Sequence, residues 1–580
     1  MDKKINIQIA TSRSQWVGYW GYDNPTKLSQ SLQLILQQKG EKENWHISSD
    51  TPTNGILATL SASGLPFDFT SNSLLPDIWV KITENGLILG REAFGRVALY
   101  WLKQEQVIWF ASRFQLLLPL VTSPNINLAA LYGYSCFSYV STPLTPVENI
   151  FSLTAGTEQI WEIDRSKKLL FSYSNDQHNW QEKTPIIDNE KDAICQLQIL
   201  LKASIKRQIV DLKDETVGVF LSGGLDSSIV AALLVQAGVK VRAYSLDFGD
   251  EFTEYSYAEQ VAQWLKIPLV KVDVTPKRIK SALIPTIQAL DIPFGDGVTV
   301  PLFLLCQVAS QEVEIIFNGE GGDQLFAGWT NKPLIAASIY QCEHPDNQQS
   351  FEQNYLRTFH RLWGYESQIF QPNIYQKIQL INPENWLGSA LDSTQTTSLL
   401  HRLRRASLML KGAQNIHPRA TNLASAHGLK VRSPFCDLDL AQWTFQVPEK
   451  LFLQGACEKY ILKRAVEDWL PSEIVWRQKR GMGVPLTAWC LQNWWSELGN
   501  WLNPVILQAE GIWQSDLAAR VAFGELSGLI QGRRIGEILW LLIVWQIWRS
   551  QVLGRSFKKY SFNHPFLIPY FLWRYKKQWS

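Results

Sequence analysis

The run Val217-Gly-Val-Phe-Leu221, followed at once by Ser222-Gly223-Gly224-Leu225-Asp226-Ser227-Ser228 and then Ile229-Val-Ala-Ala-Leu-Leu-Val, leaves few ways to fold the chain around it. A short, uninterrupted apolar run reads as a strand buried on both faces, hence as part of a parallel sheet covered by helices. The small residues then make a tight turn, and the apolar stretch after them opens a helix. That order brings backbone N–H groups and the positive end of a helix to one point, which attracts phosphate. Glycines let a ligand approach the backbone without a Cβ in the way, and serine hydroxyls donate to phosphate oxygens. The loop is not of the G-x-x-x-x-G-K-[ST] type, because that spacing and its lysine are missing. A Gly-Gly turn capped by serine would explain the serines but not Asp226. Beside a phosphate a carboxylate repels the ligand unless a cation lies between them, so Asp226 predicts Mg2+.

The chain around this unit has 580 residues, 46% hydrophobic and 19% charged, too many for one core and too apolar for disorder. Fifty-five Lys and Arg against 53 Asp and Glu leave a formal charge of +2, which supplies no general drive toward nucleic acid. Up to about residue 165 short strands alternate with turns, as in Asp77-Ile-Trp-Val-Lys-Ile-Thr, Gly86-Leu-Ile-Leu-Gly and Val107-Ile-Trp-Phe. We place a β-rich first domain over 1–175 and a polar linker over 176–190, where Asp176, Gln177, Asn179 and Gln181 crowd together. Ile194, Leu197, Leu201 and Ile205 keep helical spacing and open an α/β domain over 191–554. Seven scattered cysteines with no C-x-x-C pair indicate neither a disulfide scaffold nor a zinc ribbon, so a cytoplasmic setting is expected. Met1–Ala10 has two lysines but no apolar stretch after them, so no secretory signal is expected. Ile538–Trp545 falls short of the roughly 20 apolar residues that span a bilayer. The segment 555–580 holds six basic residues, nine aromatics and no acid. That composition suits contact with a membrane surface or a partner groove, and equally a tail packed on its own domain.

Ser222–Ser228 resembles the pyrophosphatase-type loop of the asparagine synthetase family, whose members split ATP between the α and β phosphates. Val241-Arg-Ala-Tyr-Ser-Leu-Asp-Phe resembles its next parallel strand, with Leu246 at the adenine pocket, and Glu254, Ala258, Val261 and Ala262 match its E-x-x-x-A-x-x-V-A helix. Asp291-Ile-Pro-Phe-Gly-Asp296 and Pro301 resemble the segment before its third strand. Ile315-Ile-Phe-Asn-Gly319-Glu320-Gly321-Gly322-Asp323-Gln-Leu-Phe-Ala-Gly328-Trp329 resembles its second signature, G-E-G-x-D-E-x-F-x-G-Y. Trp476-Arg477-Gln478-Lys479-Arg480-Gly481-Met482-Gly483-Val484-Pro485 resembles its R-x-K-x-G-x-x-V-P loop, and Glu458–Arg464 the helix before that loop. The resemblance implies an N-terminal αββα sandwich of the Ntn type, then a parallel-sheet ATP-pyrophosphatase domain with a helical C-terminal part. It implies ATP bound by Leu221, Ser222, Gly223, Gly224, Asp226, Ser227, Ser228, Leu246 and Gly319, and Mg2+ held by Asp226 and Asp323. Two strand ends that each deliver an aspartate to the C-terminal edge of a parallel sheet suit a shared metal. Glu320 stands at the family's base position, able to take a proton from an attacking amine. Lys479, on a glycine-flanked loop, is assigned the charge that closes over the reacting intermediate, whereas the charges of Glu458–Arg464 are assigned to scaffolding.

Two departures shape the functional expectation. Glutamine-using members carry a nucleophilic cysteine after the initiator methionine; here Asp2 stands there, and the first cysteine is Cys136. The glutaminase-like domain remains legible in Gly90-Arg91-Glu92-Ala-Phe-Gly95-Arg-Val-Ala-Leu-Tyr100, yet a carboxylate does not replace a thiolate as nucleophile. Lys430 stands where the family's E-x-R-x-P-F-L-D has its glutamate, and Thr421-Asn422 replace an Asp-Arg pair, so an acceptor other than free aspartate is expected. His427, with no partner His or Cys at ligand spacing, reads as an ordinary helix residue. This combination resembles the lasso peptide cyclases, which adenylate a peptide side chain and let the peptide's own N-terminal amine close an isopeptide ring. It implies a peptide substrate, with a leader peptidase and a leader-peptide-binding protein as partners. An ammonia-dependent asparagine synthetase, a β-lactam-type synthetase acting on a small amino acid, and an inactive scaffold are the alternatives.

Overall fold

A computed structural model describes residues 15–38, 77–82, 86–164, 166, 168–174, 180–183, 189–212, 214–249, 254–328, 350–359, 361–479, 481–526 and 532–555, together with three short strands near the N-terminus. Asp2, Trp329, Cys342, Arg480 and nearly all of the aromatic tail, 556–580, lie outside the described residues.

Among the described residues eleven strands build the first half: β1 (Ile5–Ile9), β2 (Gln15–Gly21), β3 (Trp45–Ser48), β4 (Gly55–Leu60), β5 (Ile78–Ile82), β6 (Gly86–Arg91), β7 (Tyr100–Gln104), β8 (Val107–Ala111), β9 (Ile150–Ser152), β10 (Thr157–Ile163) and β11 (Leu169–Ser174). They pair antiparallel in two sheets, ordered β1-β5-β6-β10-β11 and β3-β4-β2-β8-β7-β9. Period-2 alternation decides which residues go where. Trp16 and Trp20 on β2 join Phe110 on β8 and face Val80, Leu87 and Trp161 of the other sheet. Val17 and Tyr19 point the other way, onto Leu28, Leu32 and Ile35 of the helix Pro25–Gln38. On the far face of the five-stranded sheet Trp79, Lys81, Ile88 and Ile160 are half-buried.

The second half is built on five parallel strands, β12 (Val217–Phe220), β13 (Val241–Asp247), β14 (Leu269–Asp273), β15 (Ile315–Phe317) and β16 (Lys430–Arg432), ordered β14-β13-β12-β15-β16. The segment Asp291–Pro301 therefore precedes the fourth parallel strand, not the third. β14 escapes a search for continuous apolar runs because Leu269-Val-Lys-Val-Asp is an edge strand in which only Val272 is fully buried. Val219, Ala243 and Phe317 face the helices Glu190–Gln208, Leu225–Gln236 and Glu254–Leu265. Tyr244, Val272 and Ile316 face Pro276–Ala289, Thr299–Ala309 and His417–Ser425. Both faces of the sheet are covered, as its apolar central strands require.

The helix Gly532–Val552 is apolar nearly all round and lies in the middle of the molecule, with Trp540, Trp545 and Trp548 each at most 1% exposed. It binds the halves together. The Tyr134 hydroxyl donates to the Leu541 carbonyl at 2.8 Å, and Trp548 Nε1 donates to the Asp291 carbonyl at 3.0 Å, while Arg113 pairs with that aspartate at 2.6 Å. Within the expected linker, Trp180 is buried between Phe94 and Phe445, so 180–183 is packed on the seam of the two halves. Among the described residues no helix is long and apolar enough to cross a membrane, and the six described cysteines are unpaired.

Candidate active site

β12 and β15 are neighbours, yet the chain leaves β12 toward β13 on one side and continues from β15 to β16 on the other. The carboxyl ends of such a strand pair form the crevice where open α/β sheets bind ligands. A cavity of about 230 Å³ lies there. Leu246, Phe248, Leu302, Leu305, Cys306 and Met482 make its apolar wall, and Asp226, Glu320, Asp323, Lys459 and Lys479 its charged end.

The loop after β12 is pre-formed by its own hydroxyls. The Gly224 N–H donates to Ser222 Oγ at 3.2 Å, the Ser222 N–H donates to Ser227 Oγ at 3.2 Å, and the Ser228 hydroxyl donates to the Gly224 carbonyl at 2.8 Å. Of the expected nucleotide-binding residues, Leu221, Ser222, Gly224, Asp226, Ser227, Leu246 and Gly319 line the cavity; Gly223 and Ser228 do not. Gly223 has φ +68° and lies so close to the Glu254–Leu265 helix that a Cβ would fall 2.5 Å from the Ala258 nitrogen. Ser228 is fully buried, with its hydroxyl turned back on the loop. Both shape the turn rather than face the ligand.

The two aspartates converge, and an ammonium sits between them. Lys459 Nζ lies 2.7 and 2.5 Å from the oxygens of Asp226 and 2.5 Å from Asp323 Oδ1, while Lys479 Nζ lies 2.8 Å from Asp323 Oδ2. Scaffolding, the role expected for the charges of Glu458–Arg464, is therefore wrong for Lys459: its side chain is 3% exposed and is part of the charged cluster. Lys463 donates to the Arg477 carbonyl at 3.3 Å and also lines the cavity. Glu458, also buried, accepts the Lys479 N–H at 2.7 Å and so anchors the loop that carries that lysine. Burial works to raise the Asp323 carboxyl, but the two lysines outweigh it and hold it well below the usual carboxylate range. Burial, with the neighbouring Asp323 charge, raises Asp226 more than Lys459 and Lys479 lower it.

Glu320 lines the same cavity, and burial, opposed by Arg419, raises its carboxyl above the ordinary value. Its backbone N–H donates to Asn318 Oδ1 at 3.2 Å, and that oxygen accepts the Ser433 hydroxyl at 2.8 Å. Gly319 packs against the phosphate loop, where a Cβ would fall 2.7 Å from the Ser227 nitrogen. Arg419 forms a buried pair with Asp296. His427 lies in the turn after the helix His417–Ser425 rather than in the helix expected for it; it rests against the Phe303 ring at 4.4 Å and is not among the cavity residues.

A glycine-turned phosphate loop at a switch point, with convergent carboxylates and lysines beside it, suits a phosphate-bearing ligand, and the relatives the chain matches make it an ATP-dependent carbon–nitrogen ligase. The asparagine synthase family model matches residues 196–550, and the chain belongs to that family. Asparagine synthetase [glutamine-hydrolyzing] 1 of Bacillus subtilis is 23% identical over 567 residues, covering 92% of this chain and 86% of its own. A putative asparagine synthetase [glutamine-hydrolyzing] of Mycobacterium tuberculosis is 23% identical over 83% of this chain and 76% of its own. The amidase chyE of Penicillium rubens is 21% identical over 57% of this chain and 56% of its own.

Proposed function

We propose that the chain closes an amide within a peptide, in the manner of a lasso peptide macrolactam synthetase. A carboxylate oxygen of the acceptor attacks the α-phosphorus of ATP, the bond to the β-phosphate oxygen breaks and pyrophosphate leaves. The amine nitrogen then attacks the activated acyl carbon, AMP departs, and Glu320 takes the amine proton. Lys459 and Lys479 supply positive charge to the phosphates at the polar end of the crevice.

The residues suit Mg2+ as well. Asp226 and Asp323 offer hard oxygen donors and already draw a cation, the Lys459 ammonium, into the space between them. Bound there, the metal would neutralise the charge that develops on pyrophosphate.

The observation that carries the peptide reading is the part of the cavity lining outside its charged end. Gln324, Ala420 and Leu423 bring no formal charge to it, and the nearby Arg419 is already paired with Asp296. A free amino acid needs partners for both its ammonium and its carboxylate; a residue inside a peptide does not. Cys136 does not revive glutamine hydrolysis, because burial pushes its thiol far up. A cytoplasmic setting and the partnership with a leader peptidase and a leader-peptide-binding protein belong to this reading.

Exchange of labelled pyrophosphate into ATP separates the possibilities. Stimulation by a core peptide supports the proposal; stimulation by free aspartate alone replaces it with asparagine formation, and no exchange with either acid indicates a scaffold. In Asp323→Asn the exchange should vanish. Full-rate exchange in that variant would show the metal to be held elsewhere.

A further inference from the structure

The turn Arg91–Arg96 of the N-terminal half is built as a rigid finger. The Glu92 carboxylate accepts the N–H groups of Phe94 at 2.7 Å and Arg96 at 2.6 Å, and Arg96 pairs with Asp77 at 2.6 Å. Arg91, 1% exposed, donates to the carbonyls of Val97, Leu153 and Gly95, each at 2.7 Å. Every one of these bonds stays within the N-terminal half.

Two others cross into the ligase half. Arg91 Nη2 reaches the Ala413 carbonyl at 3.4 Å, and the Phe94 carbonyl accepts from His417 Nδ1 at 2.7 Å. Because a carbonyl only accepts, the ring proton is assigned to Nδ1, which leaves Nε2 of a neutral imidazole as an acceptor. Nε2 faces Cys436 Sγ at 3.8 Å, and that sulfur lies 3.7 Å from the Glu320 carbonyl; its one proton serves one of these acceptors, and the other contact is one of packing. The approach is tight at both ends. A Cβ on Gly95, where φ is +65°, would fall 2.7 Å from the Ala413 carbonyl oxygen, and one on Gly321 would fall 3.3 Å from Cys436 Sγ. Packing alone would be served by an apolar side chain at 417; the imidazole instead joins a carbonyl of one half to a thiol against the backbone of Glu320 in the other.

We infer that the N-terminal half is retained as a positioning domain: its Arg91–Arg96 finger, acting through His417 and Cys436, holds the Glu320 backbone in place relative to the phosphate loop. This rests on the reading of Glu320 as the group that receives the amine proton. An acid–base group displaced by a fraction of an ångström loses much of its effect, so a fixed second layer behind it has a clear use. His417 and Cys436 are positioning residues and touch no substrate.

Hydrogen–deuterium exchange on the full chain, with and without Mg2+ and α,β-methylene-ATP, tests the link directly. His417→Leu and Gly95→Val should raise exchange over 318–322 by about tenfold or more and leave 222–228 and the analogue's affinity unchanged. His417→Asn, whose amide N–H can take the place of Nδ1 but which has no atom at Nε2 to meet Cys436, should restore the bond to Phe94 and only part of the protection. Should a His417 variant fail to fold, Cys436→Ala removes the same link at its sulfur, leaves the Phe94–His417 bond in place and gives the same readout. Wild-type exchange over 318–322 in a folded His417→Leu chain, or equal increases in both segments, would overturn the inference. A wild-type chain with no pyrophosphate exchange would instead strike the proposed reaction and leave the exchange pattern standing.

Discussion

At the scale of single residues, the site turns on competition for the same oxygens. Lys459 is buried against Asp226 and Asp323, so removing its ammonium leaves Asp226 without its ion-pair partner while Asp323 keeps Lys479, a loss of about 3–5 kcal/mol for a broken buried pair. Lys459→Met should therefore lower thermal stability, yet bind Mn2+ more tightly than wild type when no nucleotide is present, because the competing cation is gone. Isothermal titration with Mn2+ reads this, and weaker binding in the variant would mean the ammonium does not occupy the metal's place. Glu320 answers to pH. Burial raises its carboxyl, so the acid limb of kcat/KM should lie above the ordinary value of 4.5, with activity falling as pH drops through that limb and the base becomes protonated. In Glu320→Gln, amide formation should fall about 10²- to 10⁴-fold while pyrophosphate exchange persists, since activation of the carboxylate precedes the proton transfer. Equal loss of both would remove Glu320 from the second step.

Between residue and molecule, the working element is the pair of strand ends at β12 and β15. Their turns are packed backbone to backbone: a Cβ at Gly319 would meet the Ser227 nitrogen at 2.7 Å and the Asp226 carbonyl carbon at 2.8 Å. Neither is the free end of a side chain that could swing away. Gly319→Ala should push the two turns apart, weakening ATP binding at least tenfold while costing little more than an ordinary core strain of about 1–3 kcal/mol in stability. A fluorescent ATP analogue together with a melting curve measures both, and unchanged affinity would show the two turns to be independent.

For the whole molecule, stability is tied to imidazoles kept neutral inside it. Burial, with the Arg404 charge, lowers His401 to about 3, and burial, opposed mainly by the Phe94 bond, lowers His417 to about 4. On unfolding each returns to its ordinary value of 6.5. Between 6.5 and those depressed values the unfolded chain holds more protons than the folded one, so stability is full above that window and falls as pH drops through it. The melting temperature should be flat near pH 7 and decline below about 6.5, and His401→Gln should shallow the decline. An unchanged slope in that variant would assign the acid sensitivity to other groups.

How much of this could be read in advance differs by kind of feature. The phosphate loop, the second signature and the two aspartates were legible because each is a contiguous run whose small residues and acids have one mechanical use. β14 was not, since an edge strand lacks the apolar run of a central one. Lys459 was not either: a lysine is solvated until a fold buries it, and nothing in Glu458-Lys459 states that two aspartates more than a hundred residues upstream will close around it. Local chemistry along the chain thus determined the parallel sheet, its nucleotide loop and the family. Only the tertiary structure decided which charges meet, where His417 places its proton, and that the N-terminal half grips the segment behind Glu320. Those are distances between residues far apart in sequence, set by how two cores pack on one another.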